Sequence, residues 1–394
     1  MRMKKLTEEF IRMFGKSDRQ IRFFAAPGRV NLIGEHIDYC GGYVFPAALT
    51  LDNVVAVREN GTSKMNMCAT DLARVYTADL SDIDKAKELK WGNYQAGMAK
   101  ELLEAGINVR GVDMLYDSTL PFGAGLSSSA SIEVVTGYAL ASLFANEMPN
   151  RIEIALMGKR CENNFVGVNC GIMDQFASAM GKKDCAILLN CDTLEYEYVP
   201  LDLGDYVLIL ANTNVKHKLG SSKYNERRQE VEKGLSYIHT AAPDDKRPYL
   251  CNYTVEDYLK YDEYITDDII RKRVKHVIYE NERVLHATKV LKQGDLVSFG
   301  QILCEANDSI RYLYEVTGIE LDTLFDLAME EEGCIGSRMT GAGFGGCTVN
   351  IVHKDKIESF KKNVGGKYTE RTGLQADFYI CRIGDGVREV SVNN

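Results

Sequence analysis

The sequence lacks the features that would place it in a membrane, in an oxidising compartment or on a nucleic acid. No apolar stretch approaches the roughly 20 residues of a membrane-spanning helix, and the basic N-terminal residues are not followed by the apolar run of a signal peptide. The 11 cysteines include no CxxC pair, which argues against a zinc site and for reduced thiols in the cytoplasm. The formal net charge of −9 argues against a nucleic-acid binder, which would show a basic balance.

Length and composition predict an α+β protein of two domains. The 394 residues exceed what one hydrophobic core usually supports, and 45% hydrophobic with 26% charged residues is ordinary for globular proteins. Both halves mix strand patterns with segregated helical patterns, which favours α+β domains. No repeat or low-complexity linker marks a boundary. We expect it just before a predicted strand at residue 206, which gives domains of residues 1–204 and 205–394.

Individual elements are predicted where a pattern is strong. Ser128 to Phe144 begins with serines and continues with small apolar residues, as expected of a capped helix. Further helices are predicted over Arg151–Phe165 and Met173–Met180, and a strand over Ile21–Ala25 that ends at the following Pro-Gly pair. The basic run Arg271 to Lys275 has acidic neighbours and is interpreted as a solvated helix face.

A glycine-serine loop between a predicted strand and a predicted helix has the residues of an anion-binding site. The loop consists of Gly123, Ala124, Gly125, Leu126, Ser127, Ser128 and Ser129. Its two glycines permit positive φ angles and close backbone approach, and its serines bring hydroxyl and backbone N–H groups to a helix start, where the helix dipole attracts anions. A serine hydroxyl can also bind Mg²⁺. A plain capped helix is the alternative, but two glycines followed by three serines exceed what capping needs. The Gly-Lys-Ser/Thr of a Walker A loop is missing.

A second glycine-rich segment, Gly341 to Gly346, matches the GxGxxG spacing of dinucleotide-binding proteins. In those proteins the motif follows a strand and opens a helix. Here the next residues, Cys347 to Val352, have a strand pattern, so we reject that interpretation. We expect a glycine-rich turn whose backbone approaches a neighbour or a ligand, or simply a tight turn before a core strand.

A polar cluster near the N-terminus has the composition of a sugar site. It contains four polar side chains within ten positions, interleaved with apolar residues: Arg29, Glu35, His36 and Asp38. Apolar neighbours suggest partial burial, and buried charges are costly unless they are paired or given a ligand. Acceptor groups suit a ligand with many hydroxyls, and arginine suits developing phosphoryl charge. Asp174 follows a glycine turn at a predicted helix start and is either a catalytic group or a helix cap.

Three segments together resemble the GHMP kinase superfamily and, within it, the galactokinase family. Residues 29–39 are similar to the galactokinase signature, residues 123–130 to the ATP motif of the superfamily, and residues 339–346 to its third motif. The resemblance covers almost the whole chain in the family order. It implies an N-terminal domain like ribosomal protein S5 domain 2, a ferredoxin-like C-terminal domain, and an active site between them. The implied reaction transfers the ATP γ-phosphate to the C1 hydroxyl of α-D-galactose.

The resemblance also implies roles for single residues. Asp174 would be the catalytic base, and Arg29 would stabilise the transition state and favour the ionised form of that base. The residues expected to contact the sugar are Glu35, His36, Ile37, Asp38, Gly171, Asp174 and Tyr224. The triphosphate of ATP would lie in the loop from Gly123 to Ser129, with Mg²⁺ held by Ser129 and Glu162. The protein would be a cytoplasmic monomer that binds neither nucleic acid nor membrane.

Two departures from the galactokinase pattern leave other sugars open. Ile37 stands where many members have Thr and Cys40 where many have Asn, and both occur in N-acetylgalactosamine kinases. An N-acetylgalactosamine 1-kinase or another sugar 1-kinase is therefore the alternative, although residues 169–174 favour galactokinase. A non-catalytic galactose and ATP sensor is a third hypothesis. It is disfavoured because related sensors have lost residues of the serine loop, which is intact here.

Overall fold

The computed structural model describes residues 2–72, 74–121, 123–215 and 220–391. The strands are β1 (Arg22–Asn31), β2 (Tyr43–Val44), β3 (Pro46–Glu59), β4 (Lys64–Ala69), β5 (Tyr76–Asp79), β6 (Val112–Ser118), β7 (Cys185–Asn190), β8 (Tyr196–Pro200), β9 (Tyr206–Asn212), β10 (Cys334–Thr340), β11 (Cys347–His353), β12 (Asp377–Cys381) and β13 (Arg388–Val390). The helices are α1 (Arg2–Phe14), α2 (Asn93–Glu104), α3 (Ser128–Phe144), α4 (Arg151–Arg160), α5 (Met173–Met180), α6 (Gly220–Ala241), α7 (Val255–Tyr261), α8 (Asp268–Lys292), α9 (Leu296–Ser309), α10 (Ile319–Glu330) and α11 (Ile357–Thr372).

A six-stranded sheet organises the first half of the chain. Its strand order is β13-β1-β3-β6-β4-β5, with β4 parallel to β6 and the other pairs antiparallel. Helix α1 covers part of this sheet through the buried residues Leu6 and Phe10, which lie four positions apart on one helix face. Helices α3 and α5 also pack on β1 and β3. Since most of α3 is buried, the loop that precedes it is attached to a rigid element.

A four-stranded sheet organises the second half. Its order is β10-β11-β9-β12, and all of its pairs are antiparallel. Numbered along the chain, these strands have the order of the ferredoxin-like fold, with helices between the first and second and between the third and fourth strands. A third, smaller sheet joins β2, β7 and β8. The predicted α+β class with a ferredoxin-like second domain is thus confirmed.

The ends of the chain complicate the predicted division into domains. Strand β9 begins one residue after the boundary proposed at 204/205, but β13 near the end of the chain pairs with β1 in the first sheet. The exact division therefore stays a prediction.

Within the described ranges no helix has both the length and the apolarity to cross a bilayer, and all 11 cysteines are free thiols.

Three local predictions need correction. Strand β1 does not end at the Pro-Gly pair, because a bulge between Pro27 and Arg29 lets pairing with β3 continue to Asn31. The helix predicted to Phe165 changes at residue 161 into a π-helical turn, Cys161–Val166. The basic run on α8 is not wholly solvated: the Arg273 side chain is only 2% exposed and forms ion pairs with Glu230 and Glu315.

Candidate active site

A cavity of about 280 Å³ opens where the N-terminal polar cluster, the start of α5 and the second glycine-rich segment meet. Most of the predicted sugar-binding and catalytic residues line it, namely Arg29, Glu35, His36, Asp38, Gly171, Asp174 and Tyr224, and so does the predicted Mg²⁺ ligand Glu162. Ile37 is fully buried and does not line the cavity, and Cys40 is also buried outside it. Residues from distant parts of the sequence therefore share one concave site.

Asp174 and Arg29 form a bidentate ion pair at this cavity. The Nε of Arg29 donates to Oδ1 of Asp174 at 2.7 Å, and its second terminal nitrogen donates to Oδ2 at 2.9 Å. The Ser127 hydroxyl also donates to Oδ2 of Asp174. Helix α5 begins at Met173 without a side-chain cap, so Asp174 is not the helix cap. Its carboxylate is instead held by Arg29 and Ser127 and stays 29% exposed.

The glycine-serine loop has the backbone shape expected of an anion site. Gly123 and Gly125 have φ angles of 72° and 71°, and Ser127 also lies in the left-handed region at 58°. Ser127 is the residue before α3 and makes no side-chain cap. The first N–H groups of α3 have no carbonyl partner within the helix, and they face the end of the loop. Arg29 connects this loop to Asp174, because its remaining terminal nitrogen donates to the Gly125 carbonyl oxygen at 2.7 Å.

The second glycine-rich segment packs against the same loop, so the neighbour that its backbone approaches is this loop. Strand β11 follows it directly, and a β-carbon placed on Gly341 would lie 3.0 Å from the Gly125 carbonyl oxygen. The Cys347 thiol lies 3.0 Å from the Ala124 carbonyl oxygen. The turn before β11 is therefore a second wall of the loop, and glycine allows the two backbones to approach.

Glu35 is held from several sides. Its Oε2 accepts from Arg338 at 2.6 Å and from the Asn31 side-chain amide, while its Oε1 accepts from the Gly341 backbone N–H at 2.7 Å. The side chains of Arg338 and Glu35 are 0% and 1% exposed. Burial raises the pKa of Glu35, and the Arg338 charge is the largest opposing influence. Glu35 therefore presents an oriented carboxylate to the cavity.

His36 ends a chain of buried hydroxyl groups. Burial, followed by the influence of His276, lowers the pKa of His36 to about 3, so its ring is neutral at physiological pH. Its Nε2 lies 3.1 Å from the Ala342 carbonyl oxygen and must therefore donate. Its Nδ1 then accepts from the Tyr39 hydroxyl at 2.8 Å, which in turn accepts from Tyr314 at 2.8 Å. The structure thereby determines the tautomer and the orientation of this ring.

Asp38 and Gly171 lie against each other at the cavity. A β-carbon on Gly171 would overlap the Asp38 carboxylate, so glycine is needed here for space. Burial, followed by the negative charge of Asp174, raises the pKa of Asp38 to about 6. The Tyr224 ring lies 5.4 Å from the His36 ring, measured between centroids, and lines the same side. The site therefore offers acceptors, a neutral imidazole and an aromatic face to a polar ligand.

Glu162 and Ser129, the two predicted Mg²⁺ ligands, lie close to each other. Glu162 lies in the π-helical turn and is buried, and burial followed by the Asp174 charge raises its pKa to about 7. The Ser129 side chain lowers this pKa, and no arginine or lysine forms a salt bridge with Glu162 among the described residues. The described part of the chain contains no group of three or more His, Cys, Asp or Glu residues able to hold a metal. A cation here would need further ligands from a phosphate or water, as Mg²⁺ commonly does.

Sequence reasoning missed several residues that hold the site together. Arg338 directly precedes the third motif but pairs with a residue 303 positions away. Gln175 follows Asp174 and bridges two buried carboxylates. Tyr314 supports His36 through Tyr39. Arg338 and Gln175 lie beside predicted site residues, which does not identify a distant partner, and Tyr314 has no such signal.

Family models match three parts of the chain. The galactokinase galactose-binding signature matches residues 8–59, the GHMP kinases N terminal domain matches residues 93–182, and the GHMP kinases C terminal model matches residues 287–370. With the α+β fold and a glycine-serine loop beside a polar cavity, these matches define an ATP-dependent kinase of the GHMP class.

Curated relatives match the chain over nearly its full length. Galactokinase of Clostridium tetani is 45% identical over 390 residues, covering 99% of this chain and 98% of the relative. Galactokinase of Fusobacterium nucleatum is 47% identical over 391 residues, covering 98% and 100%. The crystal structure of Lactococcus lactis galactokinase complexed with galactose has a TM-score of 0.95 at 39% identity and covers 99% of this chain and 100% of that one. The chain belongs to the galactokinase family and is a sugar kinase.

Proposed function

We propose that this kinase transfers the γ-phosphate of ATP to the C1 hydroxyl of α-D-galactose, giving galactose 1-phosphate and ADP, the first step of galactose catabolism by the Leloir pathway. The observation that carries the proposal is the bidentate Arg29–Asp174 pair, which stands between the anion loop and the polar cavity. The names of the close relatives, one of them solved with galactose, support this choice of sugar.

The sugar would occupy the cavity through groups of complementary polarity. Glu35 and Asp38 are acceptors for sugar hydroxyls, and His36 and Tyr224 form an adjoining ring surface. Gly171 leaves room for the Asp38 carboxylate. Ile37 would affect the sugar only indirectly, because its side chain is buried and does not line the cavity.

Asp174 would accept the proton of the C1 hydroxyl as that oxygen attacks phosphorus. Its two oxygens are held by Arg29 and Ser127, so its orientation is set before the sugar arrives. Arg29 also reaches the loop and is placed to stabilise negative charge on the transferring group. The reaction thus relies on positioning and electrostatics more than on a strong base.

The nucleotide phosphates would lie on the loop from Gly123 to Ser129, at the N-terminal end of α3. Ser129 and Glu162 fit the cofactor Mg²⁺, because they supply hard oxygen ligands and no arginine or lysine competes for Glu162 among the described residues. When bound, Mg²⁺ would neutralise charge on the phosphate oxygens.

A coupled assay of ADP release tests the proposal. We expect ATP- and Mg²⁺-dependent turnover with galactose, and a higher kcat/KM for galactose than for N-acetylgalactosamine or arabinose. Asp174→Asn should abolish turnover, while galactose binding measured by calorimetry persists. No turnover with galactose, or a preference for the acetylated sugar, would reject the proposed substrate. Binding without turnover in the wild-type protein would favour a sensor instead.

We also infer a cytoplasmic monomer that binds neither nucleic acid nor membrane. The 11 free thiols support the cytoplasmic location, and the net charge of −9 argues against nucleic-acid binding. Light scattering after size-exclusion chromatography tests the monomer, and a dimer mass would reject it. Limited proteolysis tests the predicted boundary between the domains of residues 1–204 and 205–394.

A further inference from the structure

The side-chain amide of Gln175 lies between two buried carboxylates. Its Nε2 donates to Oε2 of Glu162 at 2.7 Å and to Oε2 of Glu133 at 3.0 Å. Gln175 and Glu133 are both 0% exposed and Glu162 is 8% exposed. The side-chain amide of Gln175 therefore donates one hydrogen bond to each of two acidic groups inside the protein.

The location of this bridge connects it to the active site. Gln175 follows Asp174 on α5, and the two side chains point to different groups. Asp174 faces Arg29 at the cavity, whereas Gln175 reaches across to the π-helical turn and to α3. One helical turn thus carries the proposed base and a contact to the proposed cation ligand.

Among the described residues, no other strong donor holds the Glu162 side chain. Its carboxyl group is otherwise near the Ser129 side chain, which is itself a proposed ligand, and the Cys170 thiol at 3.4 Å, a weak donor. Within the described residues, Oε1 of Gln175 and Oε1 of Glu133 have no hydrogen-bond partner. In this part of the chain, the Nε2 group is the side-chain donor that joins the two glutamates.

We propose that Gln175 is a positioning residue that orients Glu162 for the divalent cation and separates it from Glu133. The inference rests on the proposed Mg²⁺ site of Ser129 and Glu162. Without the bridge, Glu162 would face Glu133 directly and could rotate away from the cation. Partners of this kind commonly contribute 10–100-fold, as a rough range, to metal affinity.

The test compares two buried glutamines changed in the same way. Gln175→Met keeps an unbranched side chain, which matters because Gln175 packs against Gly158, but it removes the donor. Gln95→Met is the matched control, since Gln95 is also 0% exposed and neither of its amide atoms has a partner among the described residues. Mn²⁺ binding is measured by electron paramagnetic resonance with a non-hydrolysable ATP analogue present, and galactose binding by calorimetry.

We expect the Mn²⁺ dissociation constant to rise about tenfold or more in Gln175→Met and to stay unchanged in Gln95→Met. Galactose affinity should be unchanged in both variants. Equal loss of Mn²⁺ binding in the two variants would indicate a general packing effect and overturn the inference, as would wild-type affinity in Gln175→Met.

Two further variants keep the outcome clear. Glu162→Gln should lose most Mn²⁺ binding. If it binds as the wild type does, the proposed cation site fails, whatever Gln175 does. If Gln175→Met does not fold, Gln175→Asn replaces it, since the shorter amide cannot span to Glu162. Normal Mn²⁺ affinity in Gln175→Asn would then overturn the inference.

Discussion

The buried ion pair of Arg338 and Glu35 predicts a large and pH-dependent loss of stability in Arg338→Met. The two side chains are 0% and 1% exposed, and their atoms lie 2.6 Å apart. Arg338 also donates to the Leu32 carbonyl oxygen at 2.9 Å. Removing one partner of a buried pair leaves the other charge without compensation in a medium of low polarity.

The expected magnitude follows from what remains around Glu35. Loss of one partner of a buried pair costs about 3–5 kcal/mol, and Glu35 would keep its contacts with Asn31 and the Gly341 N–H. We therefore expect a loss of about 3 kcal/mol in the free energy of unfolding. In a unit of about 200 residues this lowers Tm by roughly 6–12 °C. The double variant with Glu35→Gln should lose less than the sum of the single variants.

The pH dependence gives an independent check. Burial raises the pKa of Glu35 in the folded protein, and removal of Arg338 raises it further. The pKa of Glu35 in the unfolded state is the same in both proteins, so their stability difference depends on its pKa in the folded state. As the pH falls, Glu35 is protonated first in folded Arg338→Met and then in the folded wild type, so the stability difference between the two proteins should shrink.

Urea unfolding followed by circular dichroism at several pH values measures this difference. Arg12→Met is the control: Arg12 pairs with Glu9 at 2.8 Å, but its side chain is 75% exposed, and its loss should cost about 1 kcal/mol or less. A loss below about 1 kcal/mol in Arg338→Met, or one that does not change with pH, would refute the electrostatic reasoning.

Three further changes probe the sugar side of the cavity. With a pKa of about 6, Asp38 should be ionised above that pH, so galactose affinity without nucleotide should fall below pH 6. Asp38→Asn should bind weakly with no such pH step, and an unchanged step would assign the titration to another group. Gly171→Ala should weaken galactose binding roughly tenfold because its methyl group displaces the Asp38 carboxylate, whereas Gly366→Ala, with open space at its β-carbon, should not. Tyr39→Phe removes the donor to His36 and should raise the KM for galactose more than it lowers kcat; an equal effect on both would contradict a purely orienting role.

Sequence patterns correctly predicted those helices that are determined by residues close together in the sequence. Helix α3 runs from Ser128 to Phe144 as expected, because serines open it and small apolar residues fill it. Helix α5 likewise matches its predicted bounds. Strand β10 was not predicted, since Cys334–Thr340 contains glycine, serine, arginine and threonine, although residues 336–340 are all buried. These polar residues find partners on other elements, which a pattern within the strand does not reveal.

The sequence by itself determined the chemical groups of the site and their approximate order. It contained the glycine-serine loop and the acidic and imidazole groups after Arg29. For Asp174 it left two interpretations open, a catalytic base or a helix cap. Only the tertiary structure excluded the cap, by placing Arg29 and Ser127 on the Asp174 carboxylate. It also decided that Glu35 is held by Arg338, which comes from the other sheet. The physical reason is that turns, caps and helical periods depend on neighbours a few residues away, whereas a buried charge is stabilised by whichever partner the packing of distant elements brings to it.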